Sequence, residues 1–134
     1  YTFKDLVEIT AKLRAEDGCP WDREQTFESL RKYMREEAEE AVQAVDNDDM
    51  ENLCEELGDV LFAAAAVARY AGIDPEQALQ EATDKYISRF ACMERSAAEQ
   101  GRSIAGMRLD EMIQAWNHAK QKLQQDTQED KNNE

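Results

Sequence analysis

The sequence predicts an all-α protein, an antiparallel bundle of about five helices, and three observations carry that expectation. The 134-residue chain holds only five Gly and two Pro, and Ala, Glu, Gln and Leu far outnumber Val, Ile and Thr, which is a composition of helix formers. Start and stop signals recur along it, the clearest being Asp74-Pro75-Glu76-Gln77, an N-cap followed by Pro at the first helical position and a capping-box Gln. The stretch Val60-Leu61-Phe62-Ala63-Ala64-Ala65-Ala66-Val67-Ala68 is apolar on every side, so the helix that carries it needs cover all round.

Each element follows from local pattern. A first helix is expected over 3–16, with Leu6, Ile9, Ala11 and Leu13 as its apolar stripe and Asp17-Gly18 as its stop. Gly18 to Asp22 then reads as a loop. Asp22 with Gln25, and Thr26 just before Phe27, are two N-cap candidates for a second helix running to about Val45. Asp48 with Glu51 is a capping-box pattern opening a third helix that ends at Ala71, before Gly72. The fourth is expected over 75–100 and the fifth from Leu109 to about Gln125, which makes 3–125 one domain and 126–134 a flexible polar tail. The all-apolar third helix either sits at the centre of a monomeric bundle or is covered in part by a second subunit.

Charge and cysteine usage exclude several function classes. Sixteen basic against thirty acidic residues, a net of −14, repel nucleic-acid phosphates. Cys19, Cys54 and Cys92 are odd in number and form no Cys-x-x-Cys, so neither a disulfide framework nor a zinc site is indicated. The longest apolar run falls far short of the roughly 20 residues that cross a bilayer, and no signal pattern opens the chain, so a cytoplasmic protein without a membrane partner is expected.

The strongest chemical signal is acidic. Between Arg35 and Arg69 there is no Lys, Arg or His, while eleven carboxylates fall there: Glu36, Glu37, Glu39, Glu40, Asp46, Asp48, Asp49, Glu51, Glu55, Glu56 and Asp59. Like charges at helical spacing destabilise a helix, so helix stability does not account for them. Glu36, Glu37 and Glu40 occupy one arc beside the apolar stripe of the second helix, and Glu56 and Asp59 lie one turn apart on the third. Antiparallel pairing of the two helices would bring these borders together. Converging carboxylates stay ionised only if a cation neutralises them, and an all-oxygen donor set suits Mg²⁺ or Mn²⁺. A di-iron carboxylate bundle would want Glu-x-x-His, and the single His118 stands far along the chain. Mg²⁺ bound through a few carboxylates points to a phosphate-bearing substrate.

Glu36-Glu37-x-x-Glu40 followed by Glu56-x-x-Asp59 resembles the paired-helix motif of the all-α nucleoside triphosphate pyrophosphohydrolases, in particular the MazG branch. The resemblance extends over nearly the whole chain: the segment from Gly18 to Thr26, the run Glu55-Glu56-Leu57-Gly58-Asp59-Val60-Leu61, the pair in Lys85-Tyr86-x-x-Arg89-Phe90, and Trp116 with Lys120. It implies that Glu37, Glu40, Glu56 and Asp59 hold Mg²⁺. It also implies that a nucleoside triphosphate is cleaved to monophosphate and pyrophosphate, in non-standard-nucleotide removal or nucleotide-pool control, and that the chain works as a tight homodimer or higher homo-oligomer. Thr83, where Asn is common, and Phe27, where His is common, depart from the pattern and bear on substrate choice.

Beside that resemblance, Lys85 and Arg89 project from one helix face and suit a triphosphate, or are ordinary surface cations. Trp21 and Trp116 are candidate stacking surfaces for a base, Trp116 equally a core residue. Glu36 borders the ligand set and is the candidate to orient or deprotonate the attacking water, or else a ligand of a second metal ion. A non-catalytic nucleotide-binding regulatory or interaction module is the alternative function, and a purely structural dimerisation domain a third.

Overall fold

The computed structural model describes residues 1–132; Asn133 and Glu134, the end of the expected tail, lie outside the described residues. Among the described residues there are six α-helices, one 3₁₀ turn and no strand. They are α1 (Phe3–Leu13), α2 (Pro20–Arg23), α3 (Phe27–Asp46), α4 (Met50–Ala71), α5 (Pro75–Glu99), the 3₁₀ turn Ile104–Gly106 and α6 (Leu109–Asn132). Two compact units divide the chain, Tyr1–Leu79 and Gln80–Glu134, with α5 beginning in the first and continuing in the second. None of the described helices is long and apolar enough to cross a membrane.

In the first unit α3 and α4 pack along each other and α1 packs on α4. Thr2 and Asp5 form a capping box on α1, which stops at Leu13 rather than at Glu16. The chain turns back there: the Cys19 N–H donates to the Leu13 carbonyl at 2.8 Å and Gly18 N–H to the Ala15 carbonyl at 2.9 Å. Only glycine fits at 18, because a Cβ would run into the carbonyl oxygens of Lys12 and Leu13. The expected loop is therefore partly helical: Pro20 opens the one-turn α2, which accounts for six helices instead of five. Arg14 ties this turn down, donating to the Asp22 carbonyl at 3.1 Å and lying 4.5 Å over the Tyr70 ring, which meets Phe27 edge-on at 4.5 Å.

Of the two cap candidates for α3, Thr26 is the one used, with Ser29 as its reciprocal partner. The cap of α4 is Asp49, whose carboxylate accepts from Asn52 N–H at 3.1 Å, and not Asp48. Asp48 instead takes a left-handed conformation, φ 55°, which a short polar side chain tolerates and a tight helix-to-helix turn demands. Gly72, φ 71°, ends α4 as expected.

The packing of this hairpin is made of small side chains. Ala41 and Ala44 on α3 and Ala63 and Ala65 on α4 are buried, which lets the two backbones come close, and no large side chain is fully buried among the described residues. Among the described residues the cover of the apolar run on α4 is incomplete: Leu61 is 53% exposed, and Met50 and Leu57 earlier on the helix are 61% and 51% exposed.

In the second unit Cys92, Met93 and Ala119 form the buried cluster, with Met112, Trp116 and Leu123 packed against it. Asp74 caps α5 through the N–H groups of Glu76 and Gln77, and Gly101, φ 69°, follows its end. Glu111 anchors the start of α6 by accepting from Arg108 N–H at 2.9 Å and from the Arg102 guanidinium. The helix then continues through 126–132, where a tail was expected, because that segment holds no Gly or Pro and several good helix formers.

Candidate functional site

Helical register and the α3–α4 hairpin together assemble the acidic site. Glu37 on α3 and Glu56 and Asp59 on α4 each place a carboxylate oxygen so that all three lie within 4.8 Å of one another. Glu56 and Asp59 are three residues apart and share a face, and the short turn at residues 47–49 folds that face onto the arc of Glu37. No Lys, Arg or His lies between Arg35 and Arg69 to compensate them.

Electrostatics register the crowding. The Glu37 carboxyl is raised above its ordinary value, by loss of solvent first and then by the charges of Glu40, Asp59, Glu56 and Glu36. Glu56 is raised too, by desolvation and then by Glu40, Asp59 and Glu55, with a hydrogen bond to Glu40 that favours its protonated form. Tyr33, one turn before Glu37, has its phenol pushed up by burial and then by Glu37, Asp59 and Glu40. Four carboxylates thus repel one another across one hairpin, and Glu40 joins the triplet through Glu56.

The donor chemistry fits a hard divalent cation. All donors are carboxylate oxygens, the kind Mg²⁺ takes. Ligand oxygens about 2.1 Å from one Mg²⁺ lie at most about 4.2 Å apart, so the triplet would need to draw in by only a few tenths of an ångström. Glu36 stands differently: its carboxylate is 3.6 Å from Lys32 Nζ, and both side chains are exposed. The sequence's candidate for handling water is therefore held by a cation on its own helix.

One group of cations lies in the second unit. Lys85 and Arg89 on α5 and Lys120 on α6 line one groove of about 800 Å³, together with Ser88 and residues of the last turns of α6. The Arg89 guanidinium lies 5.6 Å over the Trp116 ring, and Tyr86 is 5.3 Å from that ring and 6.4 Å from Phe90. Trp116 is half-buried against the Cys92–Met93–Ala119 cluster, so it serves packing while its face remains engaged by Arg89. Trp21 on α2 is 71% exposed, as a stacking surface would be. His118 is exposed on α6.

Sequence reasoning did not single out Tyr33, Ser88 or the glutamines that follow Lys120. Tyr33 was legible from its spacing, four residues before Glu37 on the same face. Ser88 lies one turn after Lys85, and the glutamines following Lys120 recur at helical spacing, but both sets carry meaning only once α6 is known to extend past residue 125.

Comparison with known proteins points one way. Residues 25–91 match the MazG nucleotide pyrophosphohydrolase domain. A nucleoside triphosphate pyrophosphohydrolase/pyrophosphatase MazG of Thermotoga maritima is 45% identical over 93 residues, which cover 65% of this chain and 36% of that protein. A nucleoside triphosphate pyrophosphohydrolase of Escherichia coli is 43% identical over 67 residues, 49% of this chain and 26% of that protein. The crystal structure of a mazG-related protein from Thermotoga maritima superposes with a TM-score of 0.65 at 32% identity, covering 88% of this chain and 98% of the other. The match spans about a third or less of the length of these curated relatives.

Proposed function

The chain belongs to the MazG nucleotide pyrophosphohydrolase family, and on that footing we propose that it hydrolyses nucleoside triphosphates to monophosphate and pyrophosphate with Mg²⁺, or Mn²⁺ in its place. The observation that carries this reading is the triplet Glu37, Glu56 and Asp59, with oxygens within 4.8 Å and no basic partner between Arg35 and Arg69. Those three residues, with Glu40 beside Glu56, would hold the ion. When bound, Mg²⁺ supplies Lewis-acid charge stabilisation and makes water more acidic.

The chain's own groups do the rest. Lys85, Arg89 and Lys120 bind and orient phosphate oxygens, Arg89 through a planar fork that a point charge cannot reproduce. Water adds at phosphorus, one phosphoanhydride P–O bond breaks so that monophosphate and pyrophosphate separate, and the proton lost by the water passes to solvent. A panel of canonical and modified nucleoside triphosphates with Mg²⁺ tests the reading: monophosphate plus pyrophosphate from any member supports it. Diphosphate plus phosphate, or binding without turnover across the panel, would sink it, the latter in favour of a non-catalytic nucleotide-binding module.

A homodimer is part of the same proposal. Met50, Leu57 and Leu61 recur along one stripe of α4 at more than half exposure, and Val42 and Val45 on α3 are each 53% exposed. A hairpin whose interior is alanine and whose outer stripe is Leu and Met gains most of its burial from a second copy. Sedimentation as a monomer at micromolar concentration would remove that part of the proposal.

A further inference from the structure

The groove of the second unit is longer than its cations. Lys85 and Arg89 line it from α5 and Lys120 from α6, and beyond Lys120 the wall of α6 is amide: Gln121, Gln124, Gln125 and Gln128 all line it. These four recur at three- and four-residue spacing, so they share one side of the helix. From Gln121 to Gln128 the wall covers about 10 Å at 1.5 Å per residue. Asp126 is the one carboxylate lining the groove and Leu123 the one apolar side chain among the described residues.

That grading has a chemical meaning. A triphosphate is drawn to the three cations and repelled by Asp126, so its anionic part belongs at the Lys120 end. Among the described residues the remainder of the groove, Asp126 apart, is uncharged and mostly hydrogen-bonding. A primary amide offers two donors and an acceptor, which match hydroxyl groups and the mixed donor–acceptor edge of a base. One leucine is too little apolar surface to hold a ring by stacking. Aromatic surface lies instead around Trp116, where Tyr86, Phe90 and Arg89 gather.

We infer, resting on the nucleoside triphosphate reading above, that Gln121, Gln124, Gln125 and Gln128 form a specificity wall that hydrogen-bonds the uncharged polar part of the nucleotide, its sugar hydroxyls or the polar edge of its base. The cations set affinity for the triphosphate, and the amides set which nucleoside carries it.

The test separates the two ends of the groove by equilibrium binding. Calorimetry with Mg²⁺ compares wild type with the double variant Gln124→Ala, Gln128→Ala, using inorganic tripolyphosphate and non-cleavable α,β-methylene ribonucleoside triphosphates. Both glutamines are exposed and alanine is the better helix former, so the variant keeps its fold, which circular dichroism checks. The Kd for the nucleotide analogue should weaken by about three- to tenfold, the scale of one neutral hydrogen bond, while that for tripolyphosphate stays the same. An analogue lacking the 2′-hydroxyl that loses nothing in the variant assigns the contact to the sugar; a loss that varies with the base and persists in the deoxy series assigns it to the base. Equal affinities in wild type and variant overturn the inference. So do parallel losses for analogue and tripolyphosphate, or no analogue binding by the wild type. Pyrophosphate release is scored separately: if the wild type binds nucleotide but releases none, the pyrophosphohydrolase reading fails, while the binding comparison still decides the glutamine wall.

Discussion

The hairpin of α3 and α4 and the groove of α5 and α6 handle charge in opposite ways. In the hairpin, Glu37, Glu56 and Asp59 converge with no Lys, Arg or His between Arg35 and Arg69, and Glu37 and Glu56 are raised in pKa by desolvation and by the carboxylates around them. In the groove, three cations stand on two helices, and Arg89 is steadied over the face of Trp116. The first arrangement crowds like charges together; the second sets its cations along a groove and against an aromatic face. Mutations should therefore differ in kind: loss of a carboxylate relieves the protein while ending its function, whereas loss of a cation weakens substrate binding and leaves the metal site alone.

The largest expected effect is in the hairpin. Asp59→Ala should cut turnover by about a thousandfold or more, a few kcal/mol of lost charge stabilisation, while metal-free thermal stability holds or rises. A variant that unfolds would make the carboxylates structural and erase the contrast. Arg89→Ala comes next. Its kcat/KM should fall by about 10- to 150-fold, from a charge-assisted contact worth about 1.5–3 kcal/mol, with Mg²⁺ affinity of the free protein unchanged. Arg89→Lys should recover only part of the loss. Unchanged kinetics in Arg89→Ala would return this residue to an ordinary solvated face.

A smaller effect comes from pH. Glu37 and Glu56 have folded pKa values raised above the ordinary 4.5, so the stability they contribute is full below that value and is lost as pH rises through the raised ones. The metal-free melting temperature of wild type should therefore drop more between pH 4.5 and neutrality than that of Glu37→Gln, in parallel scanning calorimetry. Parallel curves would mean that the crowding carries no cost. The least effect is expected at Glu36. Its carboxylate is engaged by Lys32 at 3.6 Å and is exposed, so Glu36→Gln should change kcat by less than about threefold. A loss of about 10²–10⁴-fold, the scale of general-base catalysis, would restore it to the water-handling role.

The same two regions show what a sequence makes legible. The hairpin was readable because uncompensated charge is visible in one dimension and helical register needs only counting: Glu37, Glu56 and Asp59 come together as the spacing says. Gly72 and Asp74-Pro75 marked their boundaries for equally local reasons. The exact cap of α4 was not readable, since Asp48 and Asp49 are chemically alike and only the geometry of the turn puts Asp48 at φ 55°. The Lys32–Glu36 pair was legible as an (i, i+4) spacing but competed with the pull of the motif next to it. The groove was the harder part. Its far wall depends on α6 running to Asn132, and a polar segment without apolar residues gives no periodicity by which to tell helix from tail. The one-turn α2 was hidden for a related reason, because Arg14 and Tyr70, which hold it, lie 6 residues before Pro20 and 50 residues after it.

One measurement bears most directly on the claim that the hairpin is a metal centre: a calorimetric Mg²⁺ titration of the nucleotide-free protein, wild type beside Asp59→Ala. Loss of even an outer hydrogen-bonding partner of a metal ligand costs about 10–100-fold in metal affinity, so loss of a carboxylate that touches the ion should cost at least that much. The account predicts saturable Mg²⁺ binding by wild type, weakened by about a hundredfold or more in Asp59→Ala, with both proteins fully folded. Equal titrations of the two folded proteins, or no binding by the wild type, would contradict it.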